Sequence, residues 1–399
     1  MQNIHLLGCG KTTRAIAKRF GVNRIFDDRK IEDSLCLHSK EFPEEIGKGD
    51  ILVPTPAIPP YNPIVRKFAN SVISEYDLFY KVGEFPFSIW ISGTNGKTTT
   101  TAMIAHLFED RGVDVGGNIG KPLGSMDTTA PIWILETSSF TLHYTKHAKP
   151  NIYILLPITP DHINWHSSFE EYEKSKLKPI RNLQEGEVAI VPEKYRDIPT
   201  NGYTIPYRDI ASLANFFGFD ISKIRFSGGF LLDSLLALAV SKILFDEVDY
   251  EKLNRFTPSP HRQEKILDNR GRVWINDSKA TNPDSTIAML ESLERERAIY
   301  LILGGEDKGA DWDLLFQKIA EMDIKIFGIG KSLDKSRELA KRYGIEIVPS
   351  ETLYQAVQDI SKLHNSESIA ILSPASASFD QFSSYEERGD QFRKFVKGL

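Results

Sequence analysis

Short apolar runs alternate with longer amphipathic segments along the whole chain. Runs of three to seven residues rich in Ile, Leu, Val and Trp read as buried strands. They are IHLL (4–7), RIF (24–26), FSIWIS (87–92), PIWILE (131–136), NIYILL (151–156), EVAIV (187–191), RVWIN (272–276), IYLILGG (299–305), IKIFGIG (324–330) and SIAILS (368–373). Between them lie segments of helical period, such as TTRAIAKRF (12–20) and FLLDSLLALAVSKILF (230–245). Strand–helix alternation of this kind predicts an α/β protein with parallel sheets.

At 399 residues the chain is too long for one ordinary core. Three blocks are expected, at 1–83, 84–259 and 260–399. Pro-rich TPAIPPYNP (55–63) reads as loop, and TPSPHR (257–262) suits a linker. An apolar fraction of 41% supports packed cores, and a net charge of −5 gives no reason to expect a nucleic-acid partner. Cys9 and Cys36 are too few for a disulfide framework and lack metal-site spacing, which fits a reduced cytoplasm. MQNIHLLGCG has no basic leader region, and apolar stretches such as IYILLPI (152–158) are too short to span a bilayer. A cytoplasmic monomer with no membrane partner is expected.

Two stretches carry candidate phosphate chemistry. In ISGTNGKTTT (91–100) an apolar run leads into Gly93, Thr94, Asn95 and Gly96, then Lys97, Thr98 and Thr99 open a helix. Glycines let backbone N–H groups turn inward around an anion, and the helix start adds its dipole. Lys97 can reach the outer phosphates of ATP, and the Thr98 hydroxyl can ligate Mg²⁺. The usual pattern has a Gly six positions before the Lys, where this chain has Ile91. The other stretch, LLGCGKTT (6–13), has Gly8 and Gly10 after a strand and Asp27-Asp28 further on. It reads as a degraded dinucleotide-type turn for a nucleotide diphosphate, or as a plain strand–helix turn.

Downstream acids decide which loop takes the triphosphate. A Mg²⁺–ATP site needs hard oxygen ligands at neighbouring strand ends. Only 91–99 is followed by them, at Glu136 after PIWIL and at Asp161-His162 after NIYILLPITP. In a parallel sheet these ends share the edge that carries the phosphate loop.

SGTNGKTT (92–99), GGNIGKPL (116–123), ETSSF (136–140), DHINWH (161–166), WINDSKATN (274–282), LGGEDKGADW (303–312) and SPASASFDQFSSYEERG (373–389) resemble, in order, the motifs of the Mur ligases of peptidoglycan synthesis. The likeness is to the D-glutamate-adding branch. It implies an N-terminal Rossmann-like domain, a central ATPase domain of the phosphate-loop type and a C-terminal Rossmann-like domain. It further implies activation of a carboxylate by ATP as an acyl phosphate, and attack by an amine. The expected substrates are UDP-N-acetylmuramoyl-L-alanine and D-glutamate.

The resemblance also implies roles. Thr98 and Glu136 hold one Mg²⁺, and Glu136 with His162 helps hold a second. SFEEYEKSK (168–176) places at Lys176 a lysine carbamoylated by CO₂, whose new anionic oxygen is a metal ligand. Arg262, Asp277 and Lys279 contact the nucleotide. Gly10, Lys11, Thr12, Asp28, Arg29 and Asn118 face the UDP substrate, and Thr281, Lys308, Ser378 and Tyr385 the D-glutamate. The chain departs from the pattern in three places. The His-Asn-x-x-Asn that contacts adenine is absent at 231–235, Tyr385 stands for Phe, and Lys11 stands where an apolar residue is common.

Other readings are a ligase for a different amino acid, a folylpolyglutamate-type ligase, and a non-catalytic nucleotide switch. The Asp-Asn-Pro-Arg of the diamino-acid ligases is missing. A switch would have no need for Glu136, His162, Lys176 and an amino-acid pocket together.

Overall fold

The computed structural model describes residues 3–293, 297–307 and 309–399. Three sheets form. The first is four-stranded and parallel, with β1 (Ile4–Leu7), β2 (Ile25–Asp27), β3 (Cys36–His38) and β4 (Ile51–Pro54) in the order β3-β2-β1-β4. The second has six parallel strands: β5 (Phe87–Ser92), β6 (Asp114–Gly117), β7 (Ile132–Glu136), β8 (Ile152–Leu155), β9 (Val188–Pro192) and β10 (Tyr203–Tyr207). Their order is β10-β9-β8-β5-β7-β6. The third is mixed, in the order β11-β12-β16-β13-β14-β15. It comprises β11 (Glu264–Leu267), antiparallel to its neighbour, and the parallel strands β12 (Val273–Asn276), β13 (Ile299–Gly304), β14 (Ile324–Ile329), β15 (Ile347–Glu351) and β16 (Ile369–Leu372).

By packing, the chain divides into two compact units, Met1–Phe226 with Phe230–Phe256, and Ser227–Gly229 with Thr257–Leu399. The first holds two sheets because they share a core. Leu6, Ile25 and Val53 of the small sheet join Trp90, Trp133, Leu135 and Tyr153 of the large one. Residues alternate across a strand, so Ile89, Ile91, Ile134, Ile152 and Ile154 emerge on the opposite face. There they meet Leu235, Leu236, Leu238 and Val240 of the helix Gly228–Phe245. That helix, of 18 residues, is long and apolar enough to cross a bilayer by length and composition, which corrects the expectation of short apolar stretches only. Half of it is buried in the protein.

Cys9, in the turn after β1, lies against Cys36 on β3. The first sheet brings their Cα atoms to 6.1 Å, inside disulfide range.

The two sheets of the first unit are tied by the helix Glu75–Lys81. Its buried Asp77 accepts N–H groups from Lys146 (2.7 Å), His147 (2.8 Å) and Ala148 (2.7 Å) in the turn before β8. Removing the carboxylate strands the buried Ala148 N–H and leaves two half-buried donors without their acceptor. Asp77→Ala is expected to destabilise the first unit by about 3 kcal/mol or more, and Asp77→Asn by less, because an amide oxygen still serves some of the donors. Urea unfolding would measure this, and an Asp77→Ala loss below about 1 kcal/mol would contradict it.

Candidate active site

β5 ends at Ser92 and the helix Lys97–Leu107 begins after Gly96. Both loop glycines are forced. Gly93 has φ 138°, and a Cβ there would lie 2.4 Å from Leu156 Cβ; Gly96 has φ 85°, and its Cβ would lie 2.6 Å from an Asp233 carboxylate oxygen. Lys97 Nζ donates to the loop's own carbonyls, Gly93 O (3.0 Å) and Thr94 O (2.7 Å). The Thr94 hydroxyl ties the loop to the segment after β8, donating to Thr159 O at 3.0 Å and accepting from Thr159 N at 2.9 Å. Tyr172 OH lies 3.0 Å from the same hydroxyl. Thr99 is buried at the helix start.

Glu136 closes β7, the neighbour of β5, and pairs with Ile91. It is 2% exposed. One carboxylate oxygen accepts from Thr98 Oγ1 and the other from Asn118 Nδ2, each at 2.7 Å. Asn118 also donates its backbone N–H to Glu136 O at 2.8 Å, which fixes its loop against β7. A hydroxyl and a carboxylate in contact beside a phosphate loop suit Mg²⁺, which keeps several waters and takes only one or two protein oxygens. Among the described residues no three His, Cys, Asp or Glu side chains converge into a fuller cage.

Lys176, on the helix Phe169–Asn182, is 1% exposed. Its Nζ donates to Gly93 O at 2.7 Å and lies 4.8 Å from the Tyr172 ring centre. Burial first, and then Lys97, push this amine well below the usual lysine range. Two lysines thus meet on one carbonyl, that of Gly93. His162 has a left-handed backbone (φ 54°), and its Nε2 lies 3.6 Å from Asp161. The ring packs edge-on to Phe140 at 4.7 Å. One turn on, His166 is buried with Nε2 2.9 Å from Ser139 Oγ, and burial pushes it down to about 3.

The earlier turn is built differently. Gly10 precedes the helix Lys11–Phe20, and the Thr13 hydroxyl accepts Gly10 N–H at 3.2 Å and donates to Gly8 O. Asp27 is the buried acid here. It accepts Cys9 N–H at 2.6 Å and a two-pronged contact from Arg29, at 3.0 Å for both Nε and Nη2. Those Arg29 bonds come first in holding its carboxyl down to about 2. Asp28, singled out from the sequence, is exposed and takes the Ser39 hydroxyl instead. Lys11 and Arg29 are exposed, and Thr12 is half-buried. Of the Asp27-Asp28 pair read from the sequence, Asp27 is the one that turns inward. Asp233 is the acid missed in the sequence: buried and accepting from Thr100 Oγ1 at 2.8 Å, it is the lone acid in an apolar helix.

The second unit holds the remaining candidates. Asp277, just beyond β12, is buried, accepts from Ser373 Oγ at 2.8 Å, and is pushed up by burial to about 7. Lys279 Nζ sits 3.8 Å from the Tyr385 ring centre. Arg262 and Thr281 are half-buried and Ser378 is buried. Ser378 O accepts N–H groups from Gln381 and Phe382. Lys308 lies outside the described residues.

A phosphate loop on one parallel sheet, an oxygen-rich strand edge beside it and a second α/β unit define an ATP-using ligase architecture. The model of the Mur ligase middle domain matches residues 91–201, and that of the Mur ligase, glutamate ligase domain matches 261–375. The chain belongs to the Mur ligase family. It is 45% identical to the UDP-N-acetylmuramoylalanine–D-glutamate ligase of Campylobacter jejuni strain 81-176, over 99% of this chain and 100% of the relative. The protein of that name from Helicobacter pylori strain HPAG1 is 37% identical, over 98% and 99%. The MurF ligase of Thermotoga maritima, solved in complex with ADP, shares the fold at a TM-score of 0.64 and 17% identity, over 99% of this chain and 95% of that one.

Proposed function

We propose that the chain adds D-glutamate to UDP-N-acetylmuramoyl-L-alanine at the expense of ATP, in peptidoglycan precursor synthesis. The observation that carries the reading is the meeting of Lys97 and Lys176 on Gly93 O, beside the Thr98–Glu136–Asn118 contact. A site that only bound a nucleotide would need the loop and no second, buried lysine. The family membership and the two relatives named for D-glutamate support the amino-acid assignment.

The chemistry runs in two steps. An oxygen of the substrate carboxylate attacks the γ-phosphorus of ATP, and ADP leaves. The amine of D-glutamate then attacks the acyl carbon, loses a proton and expels phosphate. Lys97 offsets negative charge at the transferring phosphoryl group, in reach of the backbone N–H groups of 93–99. Thr98 and Glu136 are the residues to hold Mg²⁺, with His162 and a carbamoylated Lys176 for a second ion; bound there, the metal neutralises phosphate charge. Asn118, anchored on Glu136, orients the substrate that Gly10, Lys11, Thr12, Asp28 and Arg29 hold by its UDP end. Arg262, Asp277 and Lys279 serve the nucleotide, and Thr281, Lys308, Ser378 and Tyr385 the D-glutamate. We assign the domains to 1–83, 84–259 and 260–399, and the enzyme to the cytoplasm as a monomer.

A phosphate-release assay with ATP, Mg²⁺ and UDP-N-acetylmuramoyl-L-alanine tests this against a panel of amino acids. Release is expected with D-glutamate alone. Turnover with L-amino acids instead, or release indifferent to any amine, would sink the reading.

A further inference from the structure

Both cysteines of the chain belong to the first sheet and its turns. Cys9 sits between Gly8 and Gly10 in the turn that leads into the helix Lys11–Phe20, and Cys36 opens β3. With Cα atoms 6.1 Å apart, the two sulfurs can join without backbone movement. Cys9 is buried and Cys36 half-buried, so a small solute reaches Cys36 more easily.

Cys36 also has a cation beside it. Arg14 Nη2, from the helix Lys11–Phe20, lies 3.2 Å from Cys36 Sγ. The other fork nitrogen, Nη1, pairs with Asp33, which aims the guanidinium at the sulfur. Asp33 holds the turn before β3 as well, since its backbone oxygen accepts Cys36 N–H at 3.0 Å and its carboxylate accepts Leu35 N–H at 2.9 Å. A hydrogen bond from a cation stabilises an anionic sulfur more than a neutral one, and the thiolate is the form that attacks an oxidant. A second thiol within reach turns the first oxidation product into a reversible disulfide.

We propose that Cys9 and Cys36 form a hydroperoxide-sensitive dithiol whose oxidation weakens binding of the UDP substrate. The Cys36 thiolate attacks one oxygen of the hydroperoxide and the O–O bond breaks. The sulfur becomes a sulfenic acid, and for hydrogen peroxide the leaving hydroxide is protonated to water. The Cys9 thiol then attacks that sulfur, an S–S bond forms, and the sulfenic oxygen leaves as water with the Cys9 proton. An external dithiol reverses the change.

The cross-link closes a ring over 9–36. That ring contains Gly10, Lys11, Thr12, Asp28 and Arg29, so the inference rests on the UDP-site reading above. In the free protein Arg29 is engaged with Asp27, and the same carboxylate holds Cys9 N–H. To meet a diphosphate Arg29 must leave Asp27. A bond from Cys9 to β3 restrains that rearrangement and keeps the turn in its substrate-free form.

The test uses the full chain, reduced, freed of reductant and titrated with hydrogen peroxide. Both thiols should disappear together, with a mass loss of two hydrogens and one proteolytic peptide pair joining Cys9 to Cys36. In the joined protein the KM for UDP-N-acetylmuramoyl-L-alanine is expected to rise about fivefold or more, with the KM values for ATP and D-glutamate within about twofold, and dithiothreitol should restore it. A merely structural cross-link would raise the melting temperature and leave that KM alone. Cys36→Ser should match the reduced wild type and ignore the same peroxide. If it does not fold, Cys9→Ala decides, because without the second thiol no disulfide forms and the KM should stay put. Arg14→Gln should slow the joining about fivefold or more, and an unchanged rate overturns the part assigned to Arg14. Sulfinic acids without the joined pair, a joined protein with unchanged KM, or an equal loss in the cysteine variants overturns the dithiol. Failure of the reduced wild type to use the UDP substrate would instead sink the ligase reading.

Discussion

Lys176→Ala is expected to lower turnover by about 100-fold or more, and short carboxylic acids such as acetate or propionate should restore part of the loss. The expectation starts from geometry. A fully buried ammonium is costly, and this one has a single carbonyl acceptor and a second lysine on that same carbonyl. Such an arrangement repels a cation. Addition of CO₂ to the neutral amine, with loss of one proton, turns the same side chain into an anionic oxygen ligand. The Ala variant leaves space where the four-carbon stem ran, so a free carboxylate can enter and supply the missing oxygen. A melting temperature near the wild-type value separates lost chemistry from lost structure. Full activity in Lys176→Ala, or a loss that no acid relieves, would remove Lys176 from the metal site.

How much of this could be read from the sequence depended on the length and purity of each pattern. All ten strands read from apolar runs are present; most are buried on both faces and carry a near-continuous apolar run, though alternate residues of VWIN at β12 are only half-buried. The strands that escaped have weaker signals. CLH at β3 is three residues long at a sheet edge, ILVP at β4 runs into a Pro-rich loop, and DVGG at β6 carries two glycines. YTIPY, EKIL and IVPSE lie at or near sheet edges and mix polar residues or Pro into the run. The site was legible where a motif fixes the backbone, as at Gly93 and Gly96, whose substituents would strike Leu156 and Asp233. It was not legible where contacts are long-range. Asp233 meets Thr100 across 133 positions. No local spacing announces such a pair. Asp27 and Asp28 show a finer limit, since only strand parity decides which of two neighbouring acids turns inward.

Lys97→Met should lower kcat on the order of 10³-fold while ATP still binds within about tenfold of wild type. The two effects separate because the loop holds the nucleotide by several means. The backbone N–H groups of 93–99 and the start of the helix Lys97–Leu107 survive the substitution and continue to bind phosphate. What disappears is a point charge on a flexible stem, needed most when negative charge shifts between the γ-phosphoryl group and the oxygens entering and leaving. In the free protein Lys97 Nζ rests on Gly93 O and Thr94 O. Methionine abandons those acceptors, but Gly93 O keeps its bond from Lys176, so little stability should be lost. Lys97→Arg is not expected to rescue. Its planar fork is too broad to sit where one nitrogen touches carbonyls at 3.0 and 2.7 Å inside a tight turn. Equilibrium ATP binding and single-turnover phosphate release, measured on the same folded variant, would separate the terms. Turnover within about tenfold of wild type would mean that Lys97 does not bear on the transferring phosphate.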